Sequence, residues 1–171
     1  MNSHSQEVLS KLEGIKIIAF DIDGTLTDGS ICMGPSGEAL KIFNVKDGYA
    51  MRKAEDSGYK IYFITGRAAC EPVTERVKDL RLPKERLFDK VKDKLEVAKS
   101  ITIEEGISLN EIAYMGDDIP DLELLQSVGF SGVPSDAISS VKDSVDFISQ
   151  HNAGRGAARE FIDLILSQNK K

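Results

Sequence analysis

Two acidic residues at alternate positions, Asp21-Ile22-Asp23, run directly into Gly24-Thr25-Leu26-Thr27. On an extended backbone, side chains at i and i+2 leave on the same side, and glycine permits a sharp turn straight afterwards. A hard cation such as Mg²⁺ takes a few oxygen ligands of this kind and completes its shell with water and phosphate oxygens. By itself the motif reads equally well as an Asp-rich turn capping a strand. A second group, Thr65-Gly66-Arg67, offers a hydroxyl, an accessible backbone N–H and a guanidinium, which together bind a phosphate or a carboxylate. Alone it is an ordinary strand-to-helix turn. The third group, Gly116-Asp117-Asp118-Ile119-Pro120-Asp121, places three carboxylates within five residues. Such crowding costs repulsion energy unless a cation is present; the rival reading is a solvated acidic loop with a helix cap. Lys94, in Lys92-Asp93-Lys94 at a helix start, reads on spacing alone as one more solvated lysine.

The elements ahead of these groups must position them. Residues 15–20 (IKIIAF), 59–64 (YKIYFI) and 112–115 (IAYM) are short apolar runs of the kind that form buried strands. A shorter run at 146–148 suggests a fourth. Between them lie helical patterns. Asp47 is the expected N-cap of a helix through Glu55, with Gly58 as its stop. Pro72 suits the first turn of a helix ending near Leu80. Residues 93–104 carry Leu95, Ala98 and Ile101 ahead of Gly106. Pro120 opens a helix with Leu122 and Leu125 that ends before Gly129. Residues 159–166 place Phe161, Ile162, Ile165 and Leu166 on one side. Residues 31–45 differ: two β-like pieces flank Gly34-Pro35-Ser36-Gly37, which predicts a projecting hairpin. Strands alternating with helices predict an α/β fold with a parallel sheet. In such sheets ligands bind beyond the carboxyl ends of the strands, where three of the four groups fall.

Composition narrows the partners. The chain of 171 residues fits one domain, with residues 1–13 as a flexible polar extension. A net charge of −6 argues against nucleic acid or an anionic membrane as partner, and no run approaches the ~20 apolar residues of a membrane helix. Residues 1–13 have no apolar segment resembling a signal peptide. Cys32 and Cys70 lack metal-ligand spacing and read as reduced thiols of a cytoplasmic protein. His4 and His151 sit in polar stretches and read as solvated.

Acid pair, hydroxyl–glycine, lysine and acid cluster, in that order, resemble the haloacid dehalogenase superfamily over residues 15–166. The resemblance implies a Rossmann-like three-layer sandwich with a central parallel sheet. It implies in-line attack by Asp21 on phosphorus to form an aspartyl-phosphate, with Asp23 as general acid and then general base. It implies Mg²⁺ held by the Asp21 carboxylate, the Asp23 backbone carbonyl and Asp117, with Asp121 and Asp118 orienting metal-bound water; Mn²⁺ or Co²⁺ could replace Mg²⁺. Thr65 and Gly66 would bind the transferring phosphoryl group and Lys94 would neutralise it. Members often carry a cap domain between these motifs. Here 37 positions separate Asp28 from Thr65 and 29 separate Thr65 from Lys94, too few for a cap. Capless relatives with such a hairpin are similar in forming tetramers, so a homotetramer is expected in which a neighbour supplies the lid.

Closer similarity lies in residues 42–49 (IFNVKDGY), 64–67 (ITGR) and 153–160 (AGRGAARE). They resemble segments of the 3-deoxy-D-manno-octulosonate 8-phosphate phosphatases, which serve lipopolysaccharide synthesis in Gram-negative bacteria; Ala153 departs from the glycine common there. A sugar-acid phosphate carries a carboxylate as well as a phosphate, and a guanidinium grips a carboxylate bidentately. Arg67 and Arg155 are the candidates. Arg155 reads equally as a helix-start residue in a glycine-rich turn, and could act in cis or in trans. Alternatives are a phosphatase for nine-carbon sialic-type acid 9-phosphates, a broad-specificity phosphatase, or a non-catalytic module; the complete motif set stands against the last.

Overall fold

The structure, a computed structural model, describes residues 10–35 and 37–168. In chain order the elements are β1 (Ile17–Phe20), β2 (Cys32–Gly34), β3 (Gly37–Leu40), α1 (Val45–Asp56), β4 (Lys60–Ile64), α2 (Glu71–Asp79), β5 (Leu87–Phe88), α3 (Lys94–Glu105), β6 (Ile112–Met115), α4 (Leu122–Leu125), β7 (Phe130–Val133), α5 (Ser139–Lys142), β8 (Phe147–Ile148) and α6 (Ala157–Ser167). Six strands form one sheet in the order β5-β4-β1-β6-β7-β8, with every pairing parallel. The hairpin β2–β3 is a separate antiparallel pair.

Alternation along the buried strands builds two cores. In β1, Ile18 and Phe20 face one layer, where Ala50, Met51 and Ala54 of α1 meet Phe161, Ile162 and Ile165 of α6. Ile17 and Ala19 face the other, with Ala98 and Ile101 of α3, Leu124 and Leu125 of α4 and Val141 of α5. Helices therefore cover both faces of the parallel sheet, as such sheets require, and the expected three-layer α/β sandwich is what forms. Between Asp28 and Thr65 lie only the hairpin, α1 and β4; between Thr65 and Lys94 lie α2, a short 3₁₀ turn and β5. Neither interval holds a cap among the described residues.

Several local expectations are corrected. Asn44, not Asp47, caps α1: its side chain accepts from the Lys46 N–H at 2.8 Å. Asp47 lies buried inside the first turn. Residues 10–12 are helical and Leu12 is buried in the core, so the extension does not run through residue 13. Residues 1–9 with His4, and Ser36, lie outside the described residues. Strand β7 was not foreseen. Its sequence FSGV is broken by Ser131 and Gly132, but Gly132 is where Phe161 packs, and a Cβ there would come within 2.8 Å of that ring. Phe161 then stacks on Phe130 with ring centroids 5.2 Å apart. By contrast α3 matches its expectation, capped by Asp93 at the Glu96 N–H (3.0 Å) and closed by Gly106 at φ +65°.

Candidate active site

Strand register brings the motifs together. Phe20 pairs with Phe63 of β4 on one side and Met115 of β6 on the other. Asp21, Thr65 and the Gly116-Asp117 turn therefore leave the same edge of the sheet, and the Asp21 N–H donates to the Met115 carbonyl at 2.9 Å. Thr65 is buried; its N–H donates to the Phe88 carbonyl and its carbonyl accepts from Val91. Its hydroxyl oxygen accepts the Arg67 N–H at 3.3 Å. The turn of residues 65–67 is thus held by β5 and the segment that follows it.

Lys94 is not a solvated lysine. Its side chain is 5 % exposed, and the ammonium lies 2.5 Å from Asp21 Oδ1 and 2.6 Å from Asp121 Oδ1. The α3 cap aims this side chain inward at the first helical position, a direction that spacing could not reveal. Both oxygens of Asp121 are engaged: Oδ1 accepts from Lys94 and from the Tyr114 hydroxyl (2.6 Å), and Oδ2 from the Asp117 and Asp118 N–H groups (3.0 and 3.1 Å). Asp117 Oδ1 accepts the Thr25 hydroxyl at 2.9 Å. Asp118 stands apart: it is exposed and caps the Ile119 N–H at 2.7 Å.

Asp21, Asp117 and Asp121 each bring an oxygen within 4.8 Å of the others. Burial, reinforced by the neighbouring carboxylates, pushes both Asp21 and Asp117 up to about 7, despite Lys94 beside them. Burial alone would lower Lys94; Asp21 and Asp121 together outweigh it and hold the ammonium charged. Three carboxylates therefore face one buried cation, and the excess negative charge fits a divalent ion with hard oxygen preference. Since Asp121 is saturated by hydrogen bonds, Asp21 and Asp117 are the side chains suited to ligate it.

The rim carries the remaining candidates. The Asp23 carboxylate pairs with Lys41, whose side chain is buried, and the Arg67 Nε lies 3.8 Å from Asp23 Oδ2. Arg155 Nη2 lies 3.6 Å from Asp28 Oδ2, so within this chain Arg155 already stands beside the first motif. Lys41 and Tyr114 were not singled out from the sequence. Lys41 follows the hairpin among unremarkable residues. Tyr114 sits in an apolar strand, where an aromatic residue reads as core; only the Asp121 beyond the strand end reveals that its hydroxyl is part of the site.

Comparison with known proteins places the chain in a family. Residues 85–161 match the family of haloacid dehalogenase-like hydrolases. Over 162 residues the chain is 37 % identical to the 3-deoxy-D-manno-octulosonate 8-phosphate phosphatase KdsC of Escherichia coli (strain K12), spanning 95 % of this chain and 85 % of that one. It superposes with a TM-score of 0.91 on the phosphatase of that name from Yersinia pestis (33 % identity, 97 % of this chain, 88 % of the other). The TM-score is also 0.91 for the Moraxella catarrhalis phosphatase of that name, solved with magnesium, phosphate and KDO (34 % identity, 96 % and 93 % covered). The chain belongs to the haloacid dehalogenase-like hydrolases as a phosphoric monoester hydrolase, and within them to the family of the KdsC phosphatases.

Proposed function

We propose that this chain hydrolyses 3-deoxy-D-manno-octulosonate 8-phosphate to the free sugar acid and phosphate, with Mg²⁺ bound, in the cytoplasmic supply of lipopolysaccharide precursor. The observation that carries the chemistry is the cluster of Asp21, Asp117 and Asp121, in which buried Asp21 and Asp121 both pair with buried Lys94. The Asp21 carboxylate and Asp117, with the Asp23 backbone carbonyl, would hold Mg²⁺, which when bound supplies charge neutralisation for the phosphoryl oxygens. An Asp21 oxygen forms a bond to phosphorus as the ester P–O bond breaks, giving an aspartyl-phosphate. Asp23 gives a proton to the departing sugar oxygen and then takes one from the water that releases phosphate from Asp21. Asp23 is paired with Lys41 here, so proton delivery requires that contact to give way as substrate enters. Lys94 fixes the Asp21 carboxylate and offsets its charge, Thr65 and Gly66 bind the phosphoryl group, and Asp121 braces Lys94; in this scheme Asp118 and Asp121 border the metal's water. Arg67 and Arg155 receive the substrate carboxylate.

Without a cap, water exclusion must come from elsewhere. Ile31, Met33, Leu40, Ile42, Val45 and Tyr49 are all exposed on the hairpin and the start of α1. That patch supports a homotetramer in which each site is covered by a neighbour. No helix among the described residues is long and apolar enough to cross a membrane.

The deciding experiment is phosphate release with Mg²⁺ from a panel of the eight-carbon acid 8-phosphate, nine-carbon acid 9-phosphates and hexose phosphates. Strong preference for the eight-carbon acid is expected. A flat profile, or a nine-carbon preference, overturns the substrate while leaving Asp21 chemistry intact. Substantial turnover in Asp21→Asn overturns the nucleophile.

A further inference from the structure

Asp47 lies buried in the first turn of α1, yet it serves a different helix. Its Oδ1 accepts the Arg159 backbone N–H at 2.8 Å, across 112 positions of sequence. Helix α6 starts at that point behind Gly156, which has no side chain to cap with. The first N–H groups of a helix lack partners within it, and Asp47 supplies from across the fold what an N-cap side chain supplies locally. Asn44 works beside it. While its Oδ1 caps α1, its Nδ2 donates to the Gly154 carbonyl at 3.4 Å. The Gly154 N–H in turn donates to the Thr25 carbonyl at 3.1 Å. Gly154 has φ +63°, and a Cβ there would come within 2.9 Å of the Thr27 backbone, so no side chain fits between the two segments. The Ala153 N–H is held by Asp136 at 2.9 Å.

Residues 153–156 are therefore a turn wedged between the loop after Asp21 and the start of α1, with Arg155 at its tip. The Arg155 side chain is 63 % exposed and its ion pair to Asp28 is 3.6 Å long. An exposed pair of that length fixes little, so the backbone of the turn decides where the guanidinium stands. We propose that Asp47 and Asn44 are positioning residues for substrate binding: they pin the turn that carries Arg155 to the rim of the Asp21 site, and so set how tightly a phosphate ester bearing a carboxylate is held. This rests on the reading of Arg155 as the contact for that carboxylate.

The test compares 3-deoxy-D-manno-octulosonate 8-phosphate with p-nitrophenyl phosphate, which has no carboxylate, on the assembled Mg²⁺-loaded enzyme. Loss of one charge-assisted contact is worth about a factor of ten. Asp47→Ala is accordingly expected to raise KM for the sugar acid about tenfold, leaving its kcat and the aryl ester's kcat/KM within about twofold. Asp47→Asn keeps the acceptor oxygen and restores the low KM. Asn44→Asp keeps the α1 cap but sets an oxygen against the Gly154 carbonyl, and gives the same KM rise should Asp47→Ala fold poorly. In an Arg155→Ala background neither change adds further loss. If Arg155→Ala raises KM while Asp47→Ala and Asn44→Asp leave it alone, or lower both substrates alike, the positioning role is overturned. If Arg155→Ala itself has no effect, the carboxylate reading fails instead. Hydrogen exchange at residues 153–156 then judges the anchor separately: faster exchange in Asp47→Ala upholds it and unchanged exchange rejects it.

Discussion

The Lys94 ammonium stands 2.5 Å from the Asp21 carboxylate, with both side chains buried and 73 positions of sequence between them. Removing one partner of a buried ion pair leaves an uncompensated charge and costs about 3–5 kcal/mol, more than the pair itself contributes. Here the loss strands two carboxylates, Asp21 and Asp121. Lys94→Met is therefore expected to lower the unfolding free energy by about 3 kcal/mol in denaturant titrations and to abolish turnover. Adding Asp21→Asn to that variant removes one of the two stranded charges and recovers part of the stability. Strictly additive losses in the double variant would show that the two groups are not coupled.

Metal binding should follow the titration of the same site. Asp21 and Asp117 both stand at about 7 in the folded chain, above the ordinary 3.8. A carboxyl whose folded pKa is raised contributes stability while it is protonated; that contribution is complete below the unfolded value and disappears as pH rises to the folded one. Metal-free protein thus loses this stabilisation between about pH 4 and 7. Mg²⁺ requires the ionised form, so its apparent affinity grows roughly tenfold per pH unit for each carboxyl that must ionise. The rise in melting temperature on adding Mg²⁺ is expected to be small at acid pH and largest above neutrality, and to vanish with a chelator. Asp117→Asn removes most of it. An equal Mg²⁺ effect on either side of neutrality would locate the ion elsewhere.

Gly24 separates the acid pair from Thr25 at φ +92°, and a Cβ placed on it would come within 2.6 Å of the Asp117 carboxyl carbon. Gly24→Ala therefore combines left-handed strain with displacement of the Asp117 carboxylate proposed to hold Mg²⁺. A cost of about 2–3 kcal/mol is expected, together with weaker Mg²⁺ binding. Gly106 provides the control. It is also left-handed, at φ +65°, but nothing lies within 4 Å of its Cβ position. Gly106→Ala should cost only the strain, about 1 kcal/mol, and leave Mg²⁺ titrations unchanged. Equal effects on Mg²⁺ would mean that the Gly24 contact is unimportant.

What could be read in advance follows from how local each signal is. Strands β1, β4 and β6 are short continuous apolar runs buried on both faces, and their polar successors could be aligned once a parallel sheet was inferred. Strand β7 could not, because Ser131 and Gly132 look like a turn until Phe161, far along the chain, is seen to need the space. Asn44 and Asp47 are both good helix starters three residues apart, and no local pattern says that one caps α1 while the other caps α6. The direction of the Lys94 side chain depends on where Asp93 begins its helix, a matter of one residue. Lys41 was invisible for the opposite reason: a lysine after a hairpin carries no mark of its pairing with the Asp23 carboxylate.

The exposed apolar surface also has a consequence for size. Ile31, Met33, Leu40, Ile42, Val45 and Tyr49 crowd into one stretch, whereas Ile103, Ile119, Ile138 and Ile148 are spread over the rest of the described chain. Single exposed apolar residues are ordinary, but six of them along one segment are the kind of surface a proposed interface would cover. Light scattering is expected to give the mass of four chains. Replacing both Ile42 and Val45 with glutamate places charges in the patch without touching the core, since the two are 66 % and 77 % exposed. That variant should sediment as a smaller species of unchanged thermal stability per chain and should lose turnover, because the neighbour proposed to exclude water would be gone. Ile103→Glu, still more exposed at 83 % but on α3, should change neither mass nor turnover. A wild-type monomer at micromolar concentration, or a dissociated variant with full activity, would remove the neighbour from the mechanism and leave the site to work open to solvent.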